Sequence, residues 1–253
     1  MAARTISIAT HKGGTGKTVT AMALAASLAR SGRPTLLVDL DPQGHSTIGL
    51  GVELAANDKT LRDIFTDPPV PIAQIVRHTA RENLDIVPAN IRLERVAQFI
   101  YMRPKREELL RRALAGVVEK YEFIIIDCPP SLSALTETGI AAADFIIVPC
   151  QMEARAADGL VDLLELISIL KGDSFERWRI LLTKLDGRKS VTNQAVMAAL
   201  SHWEQKIFVT NIPQSEPLNQ AQIERVDIFT FDPRCKGAQA YEALTEEVLG
   251  YGG

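Results

Sequence analysis

The stretch His11-Lys-Gly-Gly-Thr-Gly-Lys-Thr18 decides how this chain is read. It follows an apolar, β-branched run, Thr5-Ile-Ser-Ile-Ala-Thr10, and precedes an alanine- and leucine-rich stretch over residues 19–30. Strand, glycine loop and helix in that order form the context a phosphate-binding loop requires. Backbone N–H groups of such a loop point inward and the helix N-terminus adds positive dipole, so phosphates can be cradled there. Lys17 then reaches the β- and γ-phosphates, and Thr18 offers its hydroxyl to Mg²⁺.

Strand and helix patterns alternate along the rest of the chain. Short apolar runs fall at 35–39, 84–88, 123–127, 145–148 and 179–183, after the first at 5–10. Runs that are apolar on both faces are expected of parallel strands covered by helices. Helical patterns fall at 104–120, 155–171, 191–203 and 237–249. The expected fold is α/β: a doubly wound, mostly parallel sheet with helices on both faces. The proline-rich stretch Asp67-Pro-Pro-Val-Pro71 reads as a loop rather than a boundary. Residues 1–253 are therefore expected to be one domain.

Two acidic segments fall where such a sheet places its ligand site, beyond the carboxyl ends of strands. Asp39-Leu-Asp-Pro-Gln-Gly44 follows the second run, and Phe123-Ile-Ile-Ile-Asp-Cys-Pro-Pro130 ends the fourth in a carboxylate. A strand-end aspartate such as Asp127 can hold Mg²⁺ through water.

The glycine loop departs from the common pattern. His11 stands where the first glycine usually falls, and Lys12 precedes Gly13-Gly14-Thr15-Gly16. In this the sequence resembles the ParA/MinD family of deviant Walker A ATPases, closest to its ParA-type partition ATPases. The resemblance implies ATP and Mg²⁺ as ligands, held by residues 12–18. It implies that Lys12 reaches across a dimer interface to the partner's nucleotide. It gives Lys12, Lys17 and Asp41 catalytic roles, Asp41 by orienting the attacking water, and places Asp39 with Thr18 and Asp127 around the metal. Val148-Pro-Cys-Gln-Met-Glu153 resembles a segment whose glutamate contacts the ribose of the partner's ATP. Thr210-Asn-Ile-Pro213 resembles one whose proline packs on adenine. Residues 236–241, Lys-Gly-Ala-Gln-Ala-Tyr, resemble the closing signature of ParA-type chains.

By the same resemblance the protein is expected to be a slow ATP hydrolase that dimerises around ATP. The dimer binds DNA without sequence preference, and a ParB-like or other cargo adaptor stimulates hydrolysis. The cargo is a plasmid or chromosome origin; a protein cargo carried on the same nucleoid is the alternative. Arg188, Lys189, Arg225, Arg234 and Lys236 are the candidate DNA contacts. The segment Gln214-Ser-Glu-Pro217 lacks arginines that chromosomal ParA relatives carry there.

Composition limits the partners. Net charge is -3 and the isoelectric point about 5.9, so bulk charge does not attract nucleic acid and any such site must be local. Residues 238–253 carry Glu242, Glu246 and Glu247 but no Lys or Arg, unlike the cationic tail of a MinD-like membrane regulator, so no membrane partner is expected. Cys128, Cys150 and Cys235 lack disulfide, zinc or iron–sulfur spacing and read as thiols of a reducing compartment. No signal peptide is read at the N-terminus, and a cytoplasmic, nucleoid-associated location is expected.

Overall fold

The structure is a computed structural model that describes residues 3–153 and 157–251. Its strands are β1 (Arg4–Ile8), β2 (Thr35–Asp39), β3 (Arg77–His78), β4 (Leu84–Val87), β5 (Phe123–Asp127), β6 (Phe145–Gln151) and β7 (Trp178–Thr183). The main helices are α1 (Lys17–Arg30), α2 (His45–Gly49), α3 (Arg92–Ile100), α4 (Leu109–Leu114), α5 (Ala134–Ala142) and α6 (Leu160–Lys171), then α7 (Ser190–Ala199), α8 (Glu216–Ile223), α9 (Ile228–Phe231) and α10 (Lys236–Gly250). One seven-stranded sheet runs in the order β3-β4-β2-β5-β1-β6-β7, parallel except for the two-residue β3 at its edge. This is the doubly wound α/β fold expected from the alternating pattern.

The apolar runs are buried on both sides, as that pattern requires. Along β5, Phe123 and Ile125 face one core with Ala21, Leu24 and Leu28 of α1 and Tyr241 and Leu244 of α10. Ile124 and Ile126 face the other, with Leu93 of α3, Leu110 of α4, Leu135 of α5 and Leu163 of α6. Each such side chain contributes about 1.5–3 kcal/mol by leaving water. Helix α1 is alanine-rich and buried nearly all round, which suits a helix enclosed between the sheet and α10.

Two expected helices are shorter in the structure. The pattern over 104–120 resolves into a 3₁₀ turn (Arg106–Glu108), α4 and a second 3₁₀ turn (Val118–Lys120). Lys105 takes a left-handed φ of 53° and Val117 leaves the helical region at φ -136°, so neither end can extend α4. The pattern over 191–203 gives α7, which stops at Ala199 and passes into a 3₁₀ segment, Ser201–Lys206. The start of the 155–171 pattern lies outside the described residues at 155 and 156; α6 begins at Leu160. Helices α2, α3, α5, α8 and α9 and the edge strand β3 had no counterpart among the expected elements.

The fold brings three strand ends together. Asp39 of β2 lies directly opposite Asp127 of β5, and Asp127 opposite Ile8 of β1. The glycine loop leaves β1 at the same edge. The turn after β2 closes through Gly44 N–H donating to the Asp41 carbonyl at 2.9 Å, and Gly44 sits at φ +66°. A Cβ there would lie 2.8 Å from the Ala89 carbonyl oxygen. Gly44→Ala is expected to lower stability by about 1–3 kcal/mol, from left-handed strain and that clash. Urea unfolding measures it, and an unchanged midpoint would show that the turn relaxes freely.

Candidate nucleotide site

The loop from Thr10 to Lys17 is built to hold an anion. Gly14 and Gly16 take φ of +77° and +86°, turning successive amides the same way, and Gly13 and Gly14 leave open space where side chains would stand. The loop runs into the N-terminus of α1, whose first turn carries no acidic residue. The Thr15 hydroxyl is buried without a hydrogen-bond partner. Polar groups buried in this way cost free energy unless a ligand satisfies them. An unsatisfied hydroxyl inside an inward-facing amide loop fits a phosphate oxygen.

Lys17 is buried beneath the loop. Its Nζ donates to Asp127 Oδ1 at 3.1 Å and lies 3.9 Å from Asp41 Oδ2. Burial works to lower its pKa, but Asp127 and Asp41 outweigh burial and hold it above the ordinary lysine value. It is therefore charged at any physiological pH. Asp127 also accepts from the Ser46 hydroxyl at 2.8 Å. Asp39 Oδ2 accepts both the Thr47 amide at 2.8 Å and the Thr47 hydroxyl at 2.7 Å, and its Oδ1 takes the Asp41 amide at 3.3 Å. Asp41 Oδ1 in turn accepts from the Gln43 amide at 3.0 Å.

Three buried carboxylates thus face one buried ammonium. Burial, with Asp127 alongside, pushes the Asp39 carboxyl up to about 7. Excess negative charge of this kind suits a hard divalent cation that keeps waters and shares phosphate oxygens. Thr18 stands next to Lys17 in the first turn of α1. Among the described residues, no group of three or more His, Cys, Asp or Glu could hold a metal unaided.

Lys12 lies at the mouth of the loop. Its Nζ donates to Glu153 Oε1 of the same chain at 2.7 Å, and Glu153 Oε2 accepts from Gln151 Nε2 at 2.9 Å. Pro213 is brought beside the loop on the other flank. It lines a cleft of about 150 Å³ with Gly16, Val19, Thr183, Lys184 and Asn219. Thr183 fixes that flank by donating its hydroxyl to the Thr15 carbonyl at 2.7 Å.

The structure therefore assembles Lys12, Thr15, Lys17, Thr18, Asp39, Asp41, Asp127, Glu153 and Pro213 around one loop. The candidate DNA contacts are distributed differently. Arg188 and Lys189 precede α7, and Asp186 already grips Arg188 through Nε and Nη2 at 2.9 Å each. Arg225 follows α8 and lines a cleft with Gln43 and Gly44, whereas Arg234 and Lys236 stand at the start of α10. Ser46, Thr47 and Thr183 were not foreseen; the first two come one residue after the Asp41-Pro-Gln-Gly44 turn, past His45, the one signal that could have marked them. Cys128 and Cys150 are buried thiols, pushed by burial up to about 12 and 11, and so chemically quiet.

Comparison with known proteins agrees with this geometry. A family model described as an AAA domain, AAA_31, matches residues 3–181. The sporulation initiation inhibitor protein Soj of Bacillus subtilis is 38% identical over 98% of this chain and 98% of its own. The chain belongs to the Soj/ParA family of partition ATPases. Among solved structures, a cobyrinic acid a,c-diamide synthase from Mycobacterium smegmatis, with bound ADP and magnesium, is 30% identical with a TM-score of 0.84. The alignment covers 98% of this chain and 95% of that one. A variant of McdA from Cyanothece in complex with ATP is 25% identical with a TM-score of 0.86, over 97% of this chain and 96% of that one. In this ParA-family chain no helix among the described residues is long and apolar enough to cross a membrane.

The raised Asp39 carboxyl gives a pH test. Below about pH 4 it is protonated folded or unfolded. As pH rises toward 7 the unfolded carboxyl ionises first, so stability falls until the folded group ionises too. Asp39→Asn, which can keep the Thr47 bonds, should therefore stabilise the nucleotide-free protein by on the order of 1–3 kcal/mol at pH 8 and little at pH 4. Thermal midpoints at the two pH values measure this; an equal effect at both would reject the like-charge account.

Proposed function

We propose that this chain, residues 1–253 as one ATPase domain, is a partition ATPase that works as an ATP-dependent switch. The observation that carries the reading is Lys17, buried at the base of the glycine loop and shared between Asp127 and Asp41. Relatives that share nearly the whole chain are named for chromosome partitioning, and two solved neighbours hold ADP with magnesium and ATP.

In this reading the loop amides of residues 13–18, the Thr15 hydroxyl and Lys17 bind the phosphates of ATP. Pro213 and its cleft hold the adenine. Thr18, Asp39 and Asp127 hold Mg²⁺, which when bound neutralises charge on the phosphates. Asp41, beside Lys17 and anchored by the Gln43 amide, orients the attacking water. Lys12 exchanges its own-chain Glu153 for the phosphates of a second subunit's ATP, which ties dimerisation to ATP. Glu153, released by that exchange, reaches the ribose across the interface. Interactions present only with the γ-phosphate separate the two states.

The ATP dimer binds nucleoid DNA non-specifically, with Arg188, Lys189, Arg225, Arg234 and Lys236 as contacts. A ParB-like adaptor stimulates hydrolysis and so moves a DNA cargo. The relatives' names favour DNA over a protein cargo; both would use the same switch.

Two variants test the switch. Asp41→Ala should bind ATP, turn it over on the order of 10²-fold more slowly, and accumulate as the ATP dimer. Unchanged turnover would move the water-orienting role elsewhere. Lys12→Ala should keep ATP binding but stay monomeric in size-exclusion chromatography with ATP and Mg²⁺. Normal dimerisation of that variant would refute its role in trans.

A further inference from the structure

Charge is unevenly placed along this chain. Residues 91–114 hold seven Arg or Lys against three Glu, a net of +4 within a protein of net -3. Part of that charge is neutralised locally: Arg106 pairs with Glu137, and Arg111 and Arg112 with Glu108. The start of α3 is different. Arg92 and Arg95 are both exposed, and neither has an ion pair among the described residues. They are three residues apart on a helix, so they share a face.

A third arginine converges on them from a distant part of the sequence. Arg62, in the 3₁₀ helix Leu61–Phe65, gives Nη2 to Asp63 Oδ1 at 3.0 Å, while its Nε is buried without a partner. Arg62, Arg92 and Arg95 together line an open cleft of about 470 Å³ with Thr66, Ile91 and Val96. The acids nearest in sequence are Asp63, engaged by Arg62, and the exposed Glu94 on α3.

We propose that this cleft is a contact for the phosphate backbone of duplex DNA, separate from the five cations named above. Guanidinium groups match phosphate oxygens with paired donors, and arginine sheds its water more easily than lysine. Three of them, with donors still open, are held at fixed spacing by two packed elements. The ATP dimer brings two copies of the cleft, which offsets the repulsion of a net acidic chain. An acidic peptide is the poorer occupant, because Ile91 and Val96 offer little apolar anchorage. A bilayer is poorer too: the apolar face of α3, Leu93 and Ile100, is buried in the core and cannot enter lipid.

The proposal rests on the DNA-binding reading of the preceding subsection, and the test separates the two. Fluorescence anisotropy of a labelled random-sequence duplex is read with a non-hydrolysable ATP analogue and Mg²⁺ at two salt concentrations. The proteins are the wild type, Arg92→Glu with Arg95→Glu, Arg92→Lys with Arg95→Lys, and Arg188→Glu with Lys189→Glu. Basal ATP hydrolysis and thermal midpoint are measured on each. The Arg92/Arg95 charge reversal should weaken binding by about 10-fold or more and reduce the slope of log affinity against log salt by roughly 0.9 for each phosphate lost. Hydrolysis and midpoint should stay at wild-type values, and the lysine pair should retain most of the binding. Wild-type affinity in a folded charge-reversal variant overturns this contact while leaving DNA binding itself standing. Absence of binding by the wild type overturns both readings. Phe99 and Met102 are exposed just beyond, so vesicles of phosphatidylcholine with phosphatidylglycerol are included. Arginine-dependent binding to vesicles but not to duplex would overturn the DNA assignment.

Discussion

The structure turns on one buried ammonium surrounded by too many carboxylates. Lys17, Asp127 and Asp41 lie within ion-pair distance, and Asp39 stands beside Asp127 on the neighbouring strand. Removing charges from water is costly, and a pair recovers that cost only when its remaining lone pairs are satisfied. Here Ser46 satisfies Asp127, Thr47 satisfies Asp39 twice, and the Gln43 amide satisfies Asp41. Even so, the negative excess is not neutralised within the chain. An arrangement that stores uncompensated negative charge beside an anion-binding loop is stable chiefly when a cation and a phosphate group are shared between the two.

The rest of the fold serves to hold those groups in register. A parallel sheet gathers the carboxyl ends of β1, β2 and β5 at one edge, and the hydrophobic cores on both faces fix the strands. Packing of Ala21, Leu24 and Leu28 against β5 sets the axis of α1, and with it the direction of the loop amides. The Thr20 hydroxyl lies 3.0 Å from the buried Tyr241 hydroxyl, which ties α1 to α10 near the loop. The closing Lys-Gly-Ala-Gln-Ala-Tyr segment therefore supports the loop through packing, and its Tyr241 also lines the cleft beside Pro213.

Much of this was legible in the sequence because its cause is local. A run such as Phe123-Ile-Ile-Ile-Asp127 can be covered on both faces only inside a parallel sheet, and glycines before Lys17 are needed wherever amides must converge. What was not legible depends on tertiary partners. Helix α3 contains four polar residues in nine, and only the core contacts of Leu93 and Ile100 reveal its inner face. The helix expected over 104–120 was cut at Lys105, whose left-handed backbone no propensity announces. Ser46 and Thr47 have no motif of their own; their value comes from Asp127 and Asp39, which the fold carries to them. Arg62 and Arg92 are thirty residues apart in the sequence and meet only across a cleft.

Seen energetically, the two lysines of the loop pose the same problem in two dielectric settings. Lys17 is paired in a dry site with Asp127, and a phosphate that takes it over gains only the difference between two strong attractions. Because that difference is less than either attraction alone, Lys17 can change partners at less cost than leaving one unpaired. Lys12 is paired with Glu153 where both side chains remain about one-third or more exposed, so solvent screens the pair and little holds it. The buried lysine is thus suited to recognising the nucleotide, and the exposed one to changing partners. A change at Lys12 also frees Glu153 and Gln151 at the end of β6, so a single exchange at the surface releases two further polar groups at once.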